Sequence, residues 1–208
     1  LIGHLDAAER TLAELDPTLF PPASRVAHEL VVAGIAMRRL HMKTARAALA
    51  RAARHAGIPA LAAEVDSASL VLDTPATRLI AHGTERLLLL EEVETLLASK
   101  ALVVDACRHV VREARIGVSL TTRPVLFALM RALAEAWPGD VPREVLVARA
   151  FRAKRADESY RARLRVEVGR LRTTLRPLAG VSATKRGFAL VPCRAREVVV
   201  LAPPTEGE

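Results

Sequence analysis

From Leu1 to about His82 apolar residues recur three and four positions apart, and helix breakers cut the run into pieces. Leu5, Leu12 and Leu15 share a face ahead of Asp16-Pro17, and Pro21-Pro22 with Ser24 opens a second helix carrying Val26, Leu30 and Ile35. Ala45 to Ala56 forms a third helix, stopped at Gly57; Pro59 starts a fourth that holds Leu61, Val65 and Leu70 until Asp73-Thr74-Pro75. Ala33, Ala36, Ala45, Ala48 and Ala52 are small where neighbouring helices must approach closely, as stacked helical hairpins require. Between Gly83 and Ser99 the run Glu85-Arg86-Leu87-Leu88-Leu89-Leu90 fits a strand or a helix start equally, and it is read as a junction.

Past the junction the period changes. Leu102 to Asp105, Arg108 to Arg112 and Val118 to Leu120 read as three short strands, the last two joined by a turn at Arg115-Ile116-Gly117. A helix follows, with Thr122 as its cap, Pro124 in its first turn and Leu126, Leu129, Met130 and Leu133 on one face up to Trp137. After a turn at Pro138-Gly139-Asp140, Val141-Pro142-Arg143-Glu144 opens a shorter helix that buries Val145, Leu146 and Phe151. In the third helix Leu164, Val168, Leu171 and Leu175 are spaced four, three and four apart, which fixes one buried face. Asp157 and Glu158 stand where the helix dipole favours anions, and Arg172 and Arg176 where it favours cations. Val181 to Ala183 and Gly187 to Val191 alternate as a hairpin whose tip is Thr184-Lys185-Arg186.

Charge sharpens this outline. Arg149 to Arg186 hold twelve Lys or Arg against three acids, Asp157, Glu158 and Glu167, while the whole 208-residue chain is only +8. The basic charge therefore sits in one helix and one hairpin, the electrostatic footprint of a nucleic-acid reader. Aromatics are only 3% of the chain, too few to supply stacking platforms for single-stranded bases. No apolar run reaches the roughly 18 residues that cross a bilayer. Cys107 and Cys193 are too few and too far apart for a disulfide framework or a Cys-x-x-Cys metal site, and they read as buried, reduced thiols of a cytoplasmic protein. The histidines, His4, His28, His41, His55, His82 and His109, show no metal-ligand spacing. With no glycine-rich phosphate loop or nucleophile elbow either, neither an enzyme nor a metal or cofactor is expected. The chain opens at Leu1 without a methionine or a signal-type leader and is read as a piece of something longer.

The stretch from Ala27 to Ala68 resembles tetratricopeptide-type repeats. Residues 100–192 resemble the OmpR/PhoB-type winged helix-turn-helix on four local features. Leu102-Val103-Val104-Asp105 with Val118-Ser119-Leu120-Thr121 is similar to that family's opening sheet and the start of its first helix. Val141 to Leu146 is similar to its second-helix opening, Val166 to Leu175 to its recognition helix, and Gly187-Phe188-Ala189-Leu190 to the strand closing its wing. The expected fold is mainly α with a small β component. It has a helical, repeat-like module over residues 1–83, then a winged helix with a short N-terminal antiparallel sheet over 84–208.

The resemblance implies a bacterial-type transcription regulator that binds double-stranded DNA. The side opposite the buried face shows Ala162, Val166, Gly169 and Thr173, all small. Arg163 and Arg170 flank this strip on one side and Arg161, Arg165 and Arg172 on the other, a ridge suited to a major groove. Lys185 and Arg186 would enter the adjacent minor groove or hold its phosphates, and Thr122 and Arg143, near helix starts, would anchor phosphates. Gly169 either gives the backbone close approach to DNA or packs against a neighbour. Two departures from the family pattern favour a scaffold that no longer reads DNA: Glu167, expected on the groove side, and a short loop at Arg152 to Ala156, where the family often meets RNA polymerase. RNA binding by the same face ranks third. Polymerase remains an expected partner by resemblance, and residues 1–82 are expected to contact another protein, a preceding domain or a second copy. No receiver pattern for phosphorylation is present.

Overall fold

The computed structural model describes residues 4–152 and 157–204. They form a mixed α/β structure, mainly helical, with a smaller β component in two sheets. Two compact units result: one runs to Ala76 and takes in Leu88–Glu94, and the other comprises Thr77–Leu87 and the chain from Thr95.

The first unit contains α1 (Leu5–Ala13), a short 3-10 turn at Pro17–Leu19, α2 (Pro22–Arg39), α3 (Met42–His55) and α4 (Pro59–Asp73). Proline in the first turn starts α2 and α4, where its missing N–H is no loss. Leu40, left-handed at φ 57°, stops α2. The Glu94 carboxylate accepts the Met42 N–H at 2.9 Å and satisfies one orphan donor of α3. Ala33, Ala36, Ala45, Ala48 and Ala52 are all buried, so α2 and α3 meet through small side chains as their spacing anticipates. Arg51 closes a two-pronged pair on the buried Glu29, both bonds 2.8 Å. Of the Leu5-Leu12-Leu15 face, Leu5 and Leu12 are half-buried on α1, and Leu15, past its end, is exposed.

The second unit departs further from expectation. Its larger sheet has six strands in the order β2-β1-β9-β3-β4-β5: β1 (Thr77–Ala81), β2 (Thr84–Leu88), β3 (Leu102–Asp105), β4 (Val110–Glu113), β5 (Ile116–Ser119) and β9 (Val198–Ala202). The expected antiparallel trio is β3-β4-β5. β9 runs parallel to β3, with Val199 opposite Val103, and antiparallel to β1, with Leu201 opposite Leu79. Strand β1 lies inside the stretch read as helical up to residue 83, and the ambiguous run from Glu85 resolves into β2 followed by α5 (Leu90–Ala98). The turn between β4 and β5 falls at Ala114, φ 50°, and Arg115, so Ile116 and Gly117 are strand residues.

Helices α6 (Pro124–Glu135), α7 (Arg143–Phe151) and α8 (Glu158–Leu175) pack around a shared core with a second sheet, β6-β8-β7, built from β6 (Asp140–Pro142), β7 (Ala179–Ala183) and β8 (Gly187–Pro192). Leu126, Leu129, Met130, Leu133, Leu146 and the α8 stripe Leu164, Val168, Leu171 and Leu175 are buried at its centre. Cys107 and Cys193, read as buried, are both exposed. Three further local expectations are corrected. Thr122 does not cap α6: Arg123 occupies the N-cap, without a side-chain bond, because Pro124 starts the helix one residue later than a Thr122 cap would need. Val141 and Pro142 are strand, held to β8, and only Arg143 onward is helix. Val145 is 40% exposed while Val147 is fully buried, since starting at Arg143 turns Leu146 and Val147 inward.

Candidate nucleic-acid interface

The buried stripe of α8 dictates what the helix presents outward. Asp157 accepts the Tyr160 N–H at 2.9 Å, so its carboxylate caps the helix in addition to facing the positive end of its dipole. With the leucines inward, Ala162, Val166, Gly169 and Thr173 form an exposed strip, Val166 being 54% exposed. A Cβ added at Gly169 would have nothing within 4 Å, which removes packing against a neighbour as its reason. The Thr173 hydroxyl donates back to the Gly169 carbonyl at 3.2 Å.

On one flank of the strip an open groove of about 790 Å³ separates α8 from the start of α6. Val166, Gly169, Arg170 and Thr173 line it, with Arg123 on the far wall donating to the Thr174 hydroxyl at 3.0 Å. Arg123 and Thr174 were not among the expected site residues; a cation directly ahead of Pro124 at a helix start was the available signal. Glu167 also lines this groove, as its expected groove-side place requires, but it is largely covered. Its side chain is only 13% exposed, beside the buried stripe, and accepts from Arg170 at 2.8 Å, so it orients Arg170, whose side chain is 65% exposed. The reason is angular: position 167 lies at the edge of the buried stripe, one turn from Leu164 and one from Leu171, so their side chains cover it in part. Arg163 lies with its guanidinium 4.6 Å from the centre of the Phe151 ring.

On the other flank a groove of about 480 Å³ is lined by Arg143, Arg161, Arg165 and Arg172 over Leu164 and Phe188, with Glu158 the acid among them. Arg165 pairs with Glu158 at 2.7 Å, and Arg161 reaches Glu144 at 3.6 Å and Glu158 at 3.9 Å. All four partners are largely exposed, so each pair is worth about 0–1 kcal/mol and yields readily to another anion. Arg172 is differently placed: its Nε donates to the Val181 carbonyl of β7 at 2.7 Å.

The β7–β8 hairpin carries Lys185 and Arg186 exposed at its tip, as expected. Gly187 lies so close to β6 that a Cβ there would fall 1.8 Å from the Val141 carbonyl oxygen. Arg143 does not stand free at its helix start; it reaches the hairpin tip, donating to the Lys185 and Thr184 carbonyls at 3.2 Å each. Thr122 is exposed near the beginning of α6. Of the expected residues, then, Val166, Arg170 and Thr173 share one surface, Arg161 and Arg165 another beside it, and Lys185 and Arg186 a third. Arg143 and Arg172 turn towards the hairpin itself, and the short loop read at Arg152 to Ala156 falls largely on residues 153–156, outside the described residues.

Among the described residues no helix is long and apolar enough to cross a membrane. Compared with known proteins, the chain matches no family model, no curated protein and no solved structure, so the arrangement of these side chains is what speaks for a function.

Proposed function

We propose that this chain is a DNA-binding transcription regulator in which α6, α7, α8 and the β7–β8 hairpin act as a winged helix-turn-helix. Helix α8 enters the major groove and the hairpin serves as the wing over the adjacent minor groove. The observation that carries the reading is the exposed small-residue strip of α8, with arginines on both sides and a basic hairpin tip beside it. A smooth ridge of Ala162, Val166, Gly169 and Thr173 allows deep entry, Val166 and Thr173 offer methyl contacts to thymine, and Arg170 offers a guanidinium to guanine. Arg161 and Arg165 exchange their carboxylate partners for phosphates. Three helices followed by a hairpin with a third strand at its side further support the resemblance seen in the sequence. The helical unit, tetratricopeptide-like in this reading, serves as a partner surface, and a cytoplasmic setting follows from the role.

A second reading, a protein-interaction scaffold, draws on the carboxylates that already pair with Arg161, Arg165 and Arg170. Binding of a pool of random duplex DNA at two salt concentrations separates the two. A DNA reader loses affinity steeply as salt rises, each displaced counterion adding about −0.9 to the log–log slope. Absence of binding at about 50 mM salt, or binding indifferent to salt, selects the scaffold. Within the first reading Arg170→Ala weakens specific binding by roughly 1–3 kcal/mol and relaxes one base position, which sequence selection from the bound pool measures directly.

A further inference from the structure

We infer that Arg143, assisted by Arg172, is the residue that sets the position of the β7–β8 hairpin, and that it governs DNA selectivity through the hairpin without touching DNA. The consequence for DNA rests on the proposed function; the positioning itself does not. Arg143 grips three consecutive carbonyls of the turn. Its main-chain N–H donates to Arg186 O at 3.4 Å, its Nη1 to Lys185 O at 3.2 Å and its Nη2 to Thr184 O at 3.2 Å. The same guanidinium lies 5.5 Å from the centre of the Phe188 ring, and that of Arg172 lies 5.9 Å from it. Arg172 also ties the opposite strand through Val181 O. Thr184 completes the anchorage, donating its hydroxyl to Asp140 Oδ2 at 2.6 Å and accepting the Gly187 N–H at 2.8 Å.

Because the carbonyls of residues 184–186 turn towards Arg143, the side chains of Lys185 and Arg186 are left exposed. One residue at the start of α7 and another on α8 thus hold the turn in a single conformation before any ligand arrives, the condition under which binding loses least to ordering. The distance between what α8 reads and what the hairpin tip reads is fixed by these two side chains. Only a planar guanidinium can bridge two neighbouring carbonyls and lie on an aromatic face; a lysine ammonium keeps the charge but not the fork.

The test compares the full chain with Arg143→Lys, with the double variant Lys185→Ala/Arg186→Ala, and with all three changes together. Amide hydrogen exchange of the DNA-free proteins is read at Thr184 and Gly187, whose N–H groups close the turn. Bound sequences are read position by position. Arg143→Lys is expected to speed exchange at these amides and to flatten base preference beside the α8 motif, leaving preference within the motif intact. Added to the double variant it is expected to cost no further affinity, since the two changes act through one element. Wild-type exchange in Arg143→Lys overturns the positioning role, and a loss of affinity that adds in full to that of the double variant overturns the action through the hairpin and makes Arg143 a direct phosphate contact. Should Arg143→Lys unfold, Asp140→Ala loosens the same turn from its other anchor and is expected to give the same pattern. If wild-type chain binds no DNA, the exchange result decides the positioning role alone while the DNA reading fails.

Discussion

A single missing methyl group separates two properties that usually move together. Gly169 stands in mid-helix with open space where its Cβ would be, and an interior glycine costs a helix roughly 0.8–1 kcal/mol relative to alanine. Gly169→Ala should therefore raise stability by about that amount in thermal or urea unfolding. If α8 lies deep in a major groove, the added methyl meets DNA and the same variant binds its sites more weakly. Stability up with affinity unchanged would place Gly169 outside the interface. Glu167 makes a related point: a carboxylate that looked like a repulsive intrusion is a mostly covered partner that steadies Arg170. Its value to the protein is in aiming a cation, and a charge count from sequence cannot see aim.

Among the elements, α8 was the most legible and the smaller sheet the least. The four-three-four spacing of Leu164, Val168, Leu171 and Leu175 is local information, and all four are buried as it requires. The hairpin is local too: its turn at residues 184–186 lies where expected, although its first strand starts two residues earlier, at Ala179, and its second ends one later, at Pro192. What escaped was pairing over long stretches. Nothing near Val141 and Pro142 announces that they become a third strand beside β8, so a helix opening was expected there. The roles of Arg143 and Arg172 escaped for the same reason, because their partners, Thr184, Lys185 and Val181, are brought to them by the fold. Gly187 is where that pairing is least forgiving. Gly187→Ala would drive a Cβ into the Val141 main chain, which has no flexible end to move aside, so β6 must separate from β8. The expected outcome is a loss of at least the roughly 1–3 kcal/mol typical of overpacking, read as a lower unfolding midpoint, with weakened DNA binding alongside it.

On the scale of the whole molecule, the boundary between the units is set by a sheet that borrows early residues for a late core. A fragment beginning at residue 84 would lack β1, whose Ile80 belongs to the core and whose Thr77 hydroxyl donates to the Ala202 carbonyl at 2.6 Å. Such a fragment should unfold at lower urea than one beginning at residue 77, and equal midpoints would show that β1 adds nothing to the second unit. The short apolar run Val198 to Ala202 gave no hint of its place, since its partners lie far back in the chain at Thr77–Ala81 and Leu102–Asp105.

That placement also orders events in time. A strand that is made after the other five described strands of its sheet, and inserted between two made much earlier, closes long loops on both sides, and closures of that kind are slow compared with forming a helix or a hairpin. Until Val198–Ala202 is synthesised, β1 and β3 each carry an unpaired row of backbone donors and acceptors, open to the wrong neighbour. The nascent chain thus passes through a stage in which α6, α7 and α8 can already have gathered while the larger sheet stands split, and the risk of misassembly at that split lasts until the five residues of β9 arrive.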